Sequence, residues 1–203
     1  DLLKPVKNLA RKFFELPYEE KLNIKMAADS GYRGYQRIGE DITKGEPDVH
    51  EAIDCYKEVE PGMYGDLEKP MVRFCFSVPS NASALSGSPY EFEGDRAGDA
   101  FWVMRLIGYP ASRGLGKSIN PGLLNCCITG LLKLVSQDDD ITALQVRNRS
   151  DEWISAPPVL GTFVCNIGDM LKIYSNGLYE STLHQVINSS TKYRVCVAYL
   201  YEE

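Results

Sequence analysis

The chain has 203 residues, a formal net charge of -6 at pH 7, and hydrophobic and charged fractions of 44% and 25%. This length allows one sizeable core with a helical annex. The negative balance argues against a nucleic-acid surface or an anionic-membrane surface, because both require a basic face. No run reaches the roughly 18 unbroken apolar residues of a membrane span. We therefore predict neither nucleic-acid nor membrane partners.

The N-terminus and the cysteines indicate a cytoplasmic protein. Residues 1–7 lack the charged-then-apolar order and the cleavage site of a secretory signal. The six cysteines form no CxxC pair, and several lie in apolar, strand-like stretches. We predict that they are reduced and buried. The chain begins without Met, which allows a fragment of a longer protein.

The front of the chain, residues 1–74, is predicted to combine helices with an ordered loop region. Apolar residues at helical spacing predict helix to about residue 28, broken at Leu16-Pro17, where Pro17 begins a second helix. From Gly31 the chain is rich in Gly, Pro and Tyr, which predicts loops with short strands. A Ser-rich linker is predicted over 75–95. The predicted apolar helix face consists of Leu2, Leu3, Val6, Leu9, Ala10, Phe13 and Phe14.

Residues 96–203 have the pattern of a β domain. Short apolar runs recur about every eight to twelve residues, with turn residues between them. This spacing predicts a mainly β fold, and a double-stranded β-helix (jelly roll) is the natural form for about eight short strands, with the N-terminal helices packed on it. Such a fold encloses a cleft between its two sheets. The predicted strands are 102–107, 130–135, 143–146, 153–154, 162–167, 170–173, 182–187 and 193–200.

The two histidines differ in their surroundings. His184 lies in an apolar strand pattern, where alternation places it on one face with Val186. It is either a satisfied structural histidine or a metal ligand. His50 lies in a loop-like stretch between acids, and we interpret it as a structural or surface residue.

Arg194 is the most conspicuous charge of the last predicted strand. It shares a face with Cys196, two residues later. An arginine in an apolar strand must find an anion, because an unpaired buried charge is very costly. Its planar fork suits a carboxylate. A salt bridge at the start of the strand is the alternative.

Three blocks of the chain, covering nearly all of it, resemble the plant-type, isopenicillin-N-synthase-like 2-oxoglutarate/Fe(II)-dependent dioxygenases. The last block is the most specific. It contains Gly-Asp-x-Leu from Gly168, Tyr-Ser-Asn-Gly-x-Tyr-x-Ser-x-x-His ending at His184, and Tyr193-Arg194. The other matching segments are 13–21, 31–35, 102–110, 130–132, 145–146 and 153–154.

The resemblance implies a plant oxidoreductase that uses Fe(II) and 2-oxoglutarate on a small organic metabolite, as a monomer. In this family two histidines and a carboxylate hold Fe(II), and an arginine on the last strand binds the far carboxylate of 2-oxoglutarate. By resemblance, His184 is the distal iron ligand and Arg194 the 2-oxoglutarate clamp. Tyr109 matches a tyrosine that helps hold the co-substrate. Cys196 replaces the hydroxyl partner of the arginine and is a weaker hydrogen-bonding group.

The upstream ligand motif departs from the family pattern. The proximal histidine position falls on Cys126 and the carboxylate position on Ile128. A thiolate binds iron, but isoleucine cannot, so we predict an inactive or weakly active oxygenase with a poor iron site. The alternatives are a non-catalytic pseudoenzyme or truncated jelly-roll binding protein, and a zinc site using Cys126 and His184. The acids at 138–140 are predicted to form a solvated turn.

Overall fold

A computed structural model of the chain describes residues 3–28, 30–43, 45–58, 101–111 and 130–202. No helix in that part of the chain has the length and apolar character that a bilayer span requires. The helices are α1 (Leu3–Phe14), α2 (Tyr18–Lys21) and α3 (Asp169–Tyr174), with a 3-10 turn at Leu22–Ile24. The strands are β1 (Gly34–Gln36), β2 (Ile42–Thr43), β3 (Glu46–Pro47), β4 (Glu51–Tyr56), β5 (Phe101–Tyr109), β6 (Leu132–Ser136), β7 (Leu144–Arg147), β8 (Trp153–Ser155), β9 (Val164–Ile167), β10 (His184–Val186) and β11 (Arg194–Glu202).

The described strands form two facing sheets and a small hairpin. The major sheet has the order β1-β4-β5-β11-β6-β9, and every neighbouring pair is antiparallel. The minor sheet has the order β10-β7-β8, and β2 pairs with β3. This is the predicted mainly β, double-sheet architecture with N-terminal helices packed on it. Strands β1 and β4, from the front of the chain, extend the major sheet.

Helix α1 packs on the major sheet through fewer residues than its apolar pattern predicted. Its buried positions are Lys7, Ala10 and Phe14, a stripe at i, i+3 and i+7. Leu9, predicted on the same face, is 66% exposed. Lys7 joins the buried stripe because its ammonium donates to the Gln137 carbonyl at 2.8 Å, which lets its aliphatic stem lie on the sheet.

Two sequence-based assignments of secondary structure were wrong. The second helix, predicted from Pro17 to about residue 28, is only the short α2 followed by a 3-10 turn that ends at Ile24. The run 170–173, predicted as a strand, lies in α3. Gly168 occupies the N-cap position of α3 and Asp169 its first turn, where the carboxylate favours the helix start. The other predicted strands each overlap an observed strand.

The predictions that the cysteines are buried and that the acids at 138–140 are solvated were only partly correct. Cys196 is buried and Cys55 half-buried, but Cys165 on β9 is exposed, and all three are free thiols. Asp138 is 6% exposed rather than solvated. Its Oδ2 accepts from Arg11 at 2.6 Å and from the Val195 backbone N–H at 3.0 Å, so it joins α1 to β11. The predicted linker 75–95 lies outside the described residues.

A buried carboxylate fixes the start of β11, where Arg194 lies. Glu51 Oε2 accepts hydrogen bonds from Lys21 Nζ and Tyr35 Oη, both at 2.7 Å. Its Oε1 accepts from Tyr193 Oη at 2.7 Å. Four elements, α2, β1, β4 and the segment leading into β11, therefore meet at one side chain. Gly108 allows this packing, because a Cβ there would lie 1.9 Å from Tyr193 Oη.

Candidate active-site cavity

A small cavity lies between the two sheets, with a volume of about 80 Å³. Strands β5, β6 and β11 supply one wall and β7 and β10 the other. This volume holds several water-sized groups, which suits a small ligand. The lining residues are His50, Arg105, Ile107, Tyr109, Lys133, Val135, Leu144, His184, Val186, Arg194, Cys196, Ala198 and Leu200.

Sheet register explains which side chains meet in the cavity. Arg194 is paired with Tyr109, and Cys196 with Ile107, so these four side chains point to the same side of the major sheet. On the minor sheet His184 opens β10. Arg194, Cys196, Tyr109 and His184, all singled out from the sequence, therefore line one cavity. Cys126 and Ile128 lie outside the described residues.

Arg194 is buried without an acidic partner among the described residues. It is 0% exposed, and its Nε, Nη1 and Nη2 atoms all lack a hydrogen-bond partner. Its Cζ lies 5.0 Å from the centroid of the Tyr109 ring, a cation–π contact. That contact is worth about 1–2 kcal/mol, whereas an unpaired buried charge costs several kcal/mol. A guanidinium in this position can bind a carboxylate through two parallel N–H···O bonds.

Tyr109 supplies a hydroxyl as well as the ring beneath Arg194. Burial is the main cause that raises the pKa of Tyr109, and the neighbouring Cys196 adds to it. The phenol consequently stays protonated at physiological pH and is available as a hydrogen-bond donor. The ring of His50 also packs against Tyr109, with 5.6 Å between the two ring centroids.

His184 is a neutral imidazole inside the cavity. It is 3% exposed, and its Nδ1 has no hydrogen-bond partner in the part of the chain that the structure describes. Burial lowers the pKa of His184 to about 4, and the positive charge of Lys133 contributes to the shift. A neutral imidazole is the form that binds metals. The ammonium beside it acts in the opposite sense, because it disfavours a second cation nearby.

The described residues fit the keto acid better than they fit iron. Arg194 and Tyr109 provide an anchor for a carboxylate, as the buried unpaired guanidinium requires. For Fe(II), His184 is the one imidazole of the predicted ligand set that lies in the described part of the chain. A facial triad needs two further ligands, and no cluster of three metal-binding side chains among the described residues includes His184.

A second polar group beside the cavity was missed by sequence reasoning. Asp41, Asp48 and His50 bring their ligand atoms within 4.8 Å of one another. His50 is only 4% exposed, with Nε2 at 3.3 Å from Asp41 Oδ2, so it is a buried residue that lines the cavity. The His50 hydrogen bond, with help from Arg105, lowers the pKa of Asp41 to about 2 although burial opposes the shift.

Arg105 already supplies a cation to this group. It contacts Asp41, and its Nε lies 3.3 Å from Asp54 Oδ1. Burial raises the pKa of Asp54 above its usual range, although Arg105 opposes that shift. We interpret the group as a structural ion network. The sequence signal was the run of acids around His50, but Asp41 and Arg105 join it only through the sheet.

Two larger surface clefts, of about 450 and 550 Å³, lie along α1. Apart from Lys4, the charged residues that line these clefts form ion pairs with each other. Lys7 binds Asp139 at 2.7 Å, Arg11 binds Asp138 at 2.6 Å, and Lys192 contacts Asp140. Among the described residues that line the two clefts, Gln137 Oε1 is the one buried side-chain polar atom without a hydrogen-bond partner. The small inner cavity is therefore the better candidate site despite its size.

Two protein-family models match the chain. The model described as the 2OG-Fe(II) oxygenase superfamily matches residues 120–203. The model described as the N-terminal region of non-haem dioxygenases in morphine synthesis matches residues 1–73. Together they cover most of the described structure, including His184, Arg194 and β4.

Curated relatives match along the whole chain. A homoarginine-6-hydroxylase of Glycine max is 57% identical, and the match covers 99% of this chain and 70% of the relative. One from Arabidopsis thaliana is 54% identical, over 100% of this chain and 69% of the relative. The soybean match runs over 230 positions although this chain has 203 residues, so the relative has internal residues without a counterpart here.

Solved structures agree with the fold. A full-length Neurospora crassa protein in complex with alpha-KG has a TM-score of 0.70 and 27% sequence identity, and the match covers 98% of this chain and 70% of that one. The same fungal protein with alpha-KG and thymine gives a TM-score of 0.71 at 26% identity, over 98% and 71%. JOX2 with 2OG, Fe and JA has a TM-score of 0.67 at 24% identity, over 98% and 64%, and supports the fold alone.

Proposed function

The chain belongs to the 2OG-Fe(II) oxygenase superfamily, and we propose that it is a 2-oxoglutarate-binding oxidoreductase whose substrate is a small basic amino acid of the homoarginine type. The observation that carries the proposal is Arg194, fully buried with all three guanidinium nitrogens unpaired in a cavity shared with His184. The substrate class rests on the 57% and 54% identity to homoarginine-6-hydroxylases.

The residues of this chain have separate roles in the proposed site. Arg194 binds the far carboxylate of 2-oxoglutarate through two parallel N–H···O bonds. Tyr109 supports the guanidinium from below, and its protonated hydroxyl donates to the same carboxylate. Cys196, next to Arg194 on that face, offers only a weak donor. Val135, Leu144 and Val186 exclude water, which strengthens the charged contacts.

In this superfamily a bound Fe(II) supplies the activation of dioxygen that allows a C–H bond to be hydroxylated. His184, neutral and with a free Nδ1, is the side chain that we assign to the metal. Cys126 and Ile128 occupy the other two positions by resemblance. Because isoleucine has no donor atom, we expect iron to bind weakly and turnover to be slow.

The proposal is tested by anaerobic reconstitution with Fe(II), followed by addition of oxygen, 2-oxoglutarate and homoarginine. Succinate release and the gain of one oxygen atom by homoarginine are measured. We expect slow homoarginine-dependent succinate release that Arg194→Ala abolishes. Arg147→Ala is the matched control, because Arg147 lies on β7 with a partly exposed side chain. The proposal is overturned if neither homoarginine nor other basic amino acids raise succinate release in protein that retains iron.

A second function, a non-catalytic binder of a dicarboxylate, is favoured by one specific observation. Among the described residues that line the cavity, three carry permanent positive charges and none is an Asp or Glu. Such a cavity attracts an anion and repels Fe(II). Metal analysis separates the two candidates: iron retained at one equivalent after desalting favours the oxygenase, and 2-oxoglutarate binding without retained iron favours the binder.

A further inference from the structure

The charges that line the inner cavity are unbalanced. Its permanent cations are Arg105, Lys133 and Arg194, and no carboxylate among the described residues joins them in the lining. The charge of Arg105 is balanced by ion pairs with Asp41 and Asp54, which do not line the cavity. The other two cations therefore determine what the cavity attracts.

Lys133 lacks an acidic partner in the described structure. It is 8% exposed, and none of the ion pairs formed by the described residues involves it. Lysine is rarely buried to this extent unless it is paired. Arg194 also has no acidic partner among the described residues, and its three guanidinium nitrogens are buried without a hydrogen-bond partner there. Two buried cations that face one small space indicate a ligand with two negative groups.

The register of the major sheet places these cations at opposite ends of the cavity. Lys133 on β6 is paired with Leu200 on β11, six positions after Arg194. Alternate residues of β11 share a face, so both cations point to the same side of the sheet. At about 3.3 Å per residue the two backbone positions are about 20 Å apart along the strand. Both side chains line the same small cavity and enter it from different positions along β11, so a short molecule with two negative groups can contact both.

His184 locates the Lys133 ammonium more closely. Lys133 and His184 line the same cavity, and the positive charge of Lys133 contributes to the lowered pKa of this imidazole, which the family uses to bind iron. A dication at that imidazole would be repelled by the ammonium. An anionic group there would be attracted by it and could accept a hydrogen bond from a neutral imidazole.

We propose that Lys133 binds the second carboxylate of a short dicarboxylate, 2-oxoglutarate or a close analogue. Its ammonium replaces the metal ion as the positive charge that holds this carboxylate. The acid then spans the cavity from Arg194 to Lys133 and binds without a metal. The inference rests on the keto-acid part of the proposed function and does not depend on turnover.

The test is isothermal titration of 2-oxoglutarate into the full chain in the presence of EDTA. The wild type is expected to bind, and Lys133→Met to lose about tenfold in affinity, which corresponds to about 1.4 kcal/mol. Lys133→Arg should retain most of the binding. Lys172→Met is the control, because Lys172 is an exposed lysine paired with Glu180. Equal affinity of wild type and Lys133→Met overturns the inference.

A second measurement needs no variant and so remains informative if Lys133→Met does not fold. Wild-type protein in EDTA is titrated with pentanoate, a five-carbon acid with one carboxylate. We expect pentanoate to bind at least tenfold more weakly than 2-oxoglutarate, and equal affinity overturns the inference. If 2-oxoglutarate binds only after Fe(II) or Mn(II) is added, the role of Lys133 is rejected while the proposed oxygenase is retained. If Arg194→Ala binds 2-oxoglutarate as tightly as wild type, the keto-acid site itself is rejected.

Discussion

The guanidinium of Arg194 lies over the ring of Tyr109, with 5.0 Å between Cζ and the ring centroid, and no carboxylate of the described residues reaches it. The two residues are directly paired across β11 and β5, so the contact is built into the sheet register. A protein that buries an arginine in this way bears a cost that only a bound anion removes. The relationship is therefore a sign of function, and it makes a prediction about stability.

Arg194→Met should stabilise the ligand-free protein by about 2 kcal/mol, because it removes an unpaired buried charge and keeps the volume. The free energy of unfolding in urea measures this. Arg147→Met, the partly exposed control, should change it by less than about 0.5 kcal/mol. Loss of stability in Arg194→Met would mean that the guanidinium is compensated and that the cavity needs no anion.

Removing a paired buried charge, unlike removing Arg194, should lower the free energy of unfolding, and the Glu51 cluster tests this. Glu51→Gln should destabilise the protein by about 3 kcal/mol, because it leaves the Lys21 ammonium buried without its carboxylate. Glu180→Gln, on an exposed pair, should cost less than about 0.5 kcal/mol. Urea unfolding again provides the comparison. If the two variants lose equal stability, Glu51 does not join α2 to the sheets as described.

The apolar positions of the fold were largely predictable from the sequence. Alternation along β10 and β11 is local, so it correctly placed His184 with Val186 and Arg194 with Cys196 on common faces. The run 170–173 was misassigned, because a short apolar stretch has no period long enough to distinguish strand from helix.

The charged residues around the cavity were harder to predict, because their partners are distant in sequence. Lys133 lies two residues before Val135 in a predicted strand, so both side chains are expected on the same, core-facing side. A lysine at a core-facing position could have indicated a binding residue. Asp41 and Arg105 are 64 positions apart, and only the pairing of β4 with β5 brings that region together. Asp138 lies in an acidic run that is typical of a solvated turn, yet it binds the Val195 backbone.

The depressed pKa of His184 predicts a loss of stability on acidification. An unfolded histidine titrates near 6.5 and the folded one near 4, so between these values the unfolded chain binds more protons and is favoured as the pH falls. Lowering the pH from about 7.5 to about 5 should cost the ligand-free protein about 2 kcal/mol that His184→Gln does not lose. Urea titrations of both proteins at the two pH values measure the difference. Parallel pH dependence would indicate that His184 is accessible to protons.

Gly108→Ala tests the close packing beside the site. The new Cβ would lie 1.9 Å from Tyr193 Oη and 2.9 Å from a ring carbon of Phe14, so we expect a loss of about 2–3 kcal/mol. Tyr193→Phe alone should cost about 1 kcal/mol, since it removes a hydrogen bond to Glu51. In a double-mutant cycle the two losses should be less than additive, because the phenylalanine removes the clashing oxygen. Full additivity would place Gly108 away from Tyr193.

The most direct test of the account is the affinity for 2-oxoglutarate, measured by isothermal titration for the wild type and for Arg194→Ala. We predict that the wild type binds one equivalent and that Arg194→Ala weakens binding by about a hundredfold, since truncating one partner of a buried charge pair costs about 2–5 kcal/mol. Undiminished binding by Arg194→Ala, or no binding by a folded wild type with or without metal, would contradict the assignment of this cavity to the keto acid.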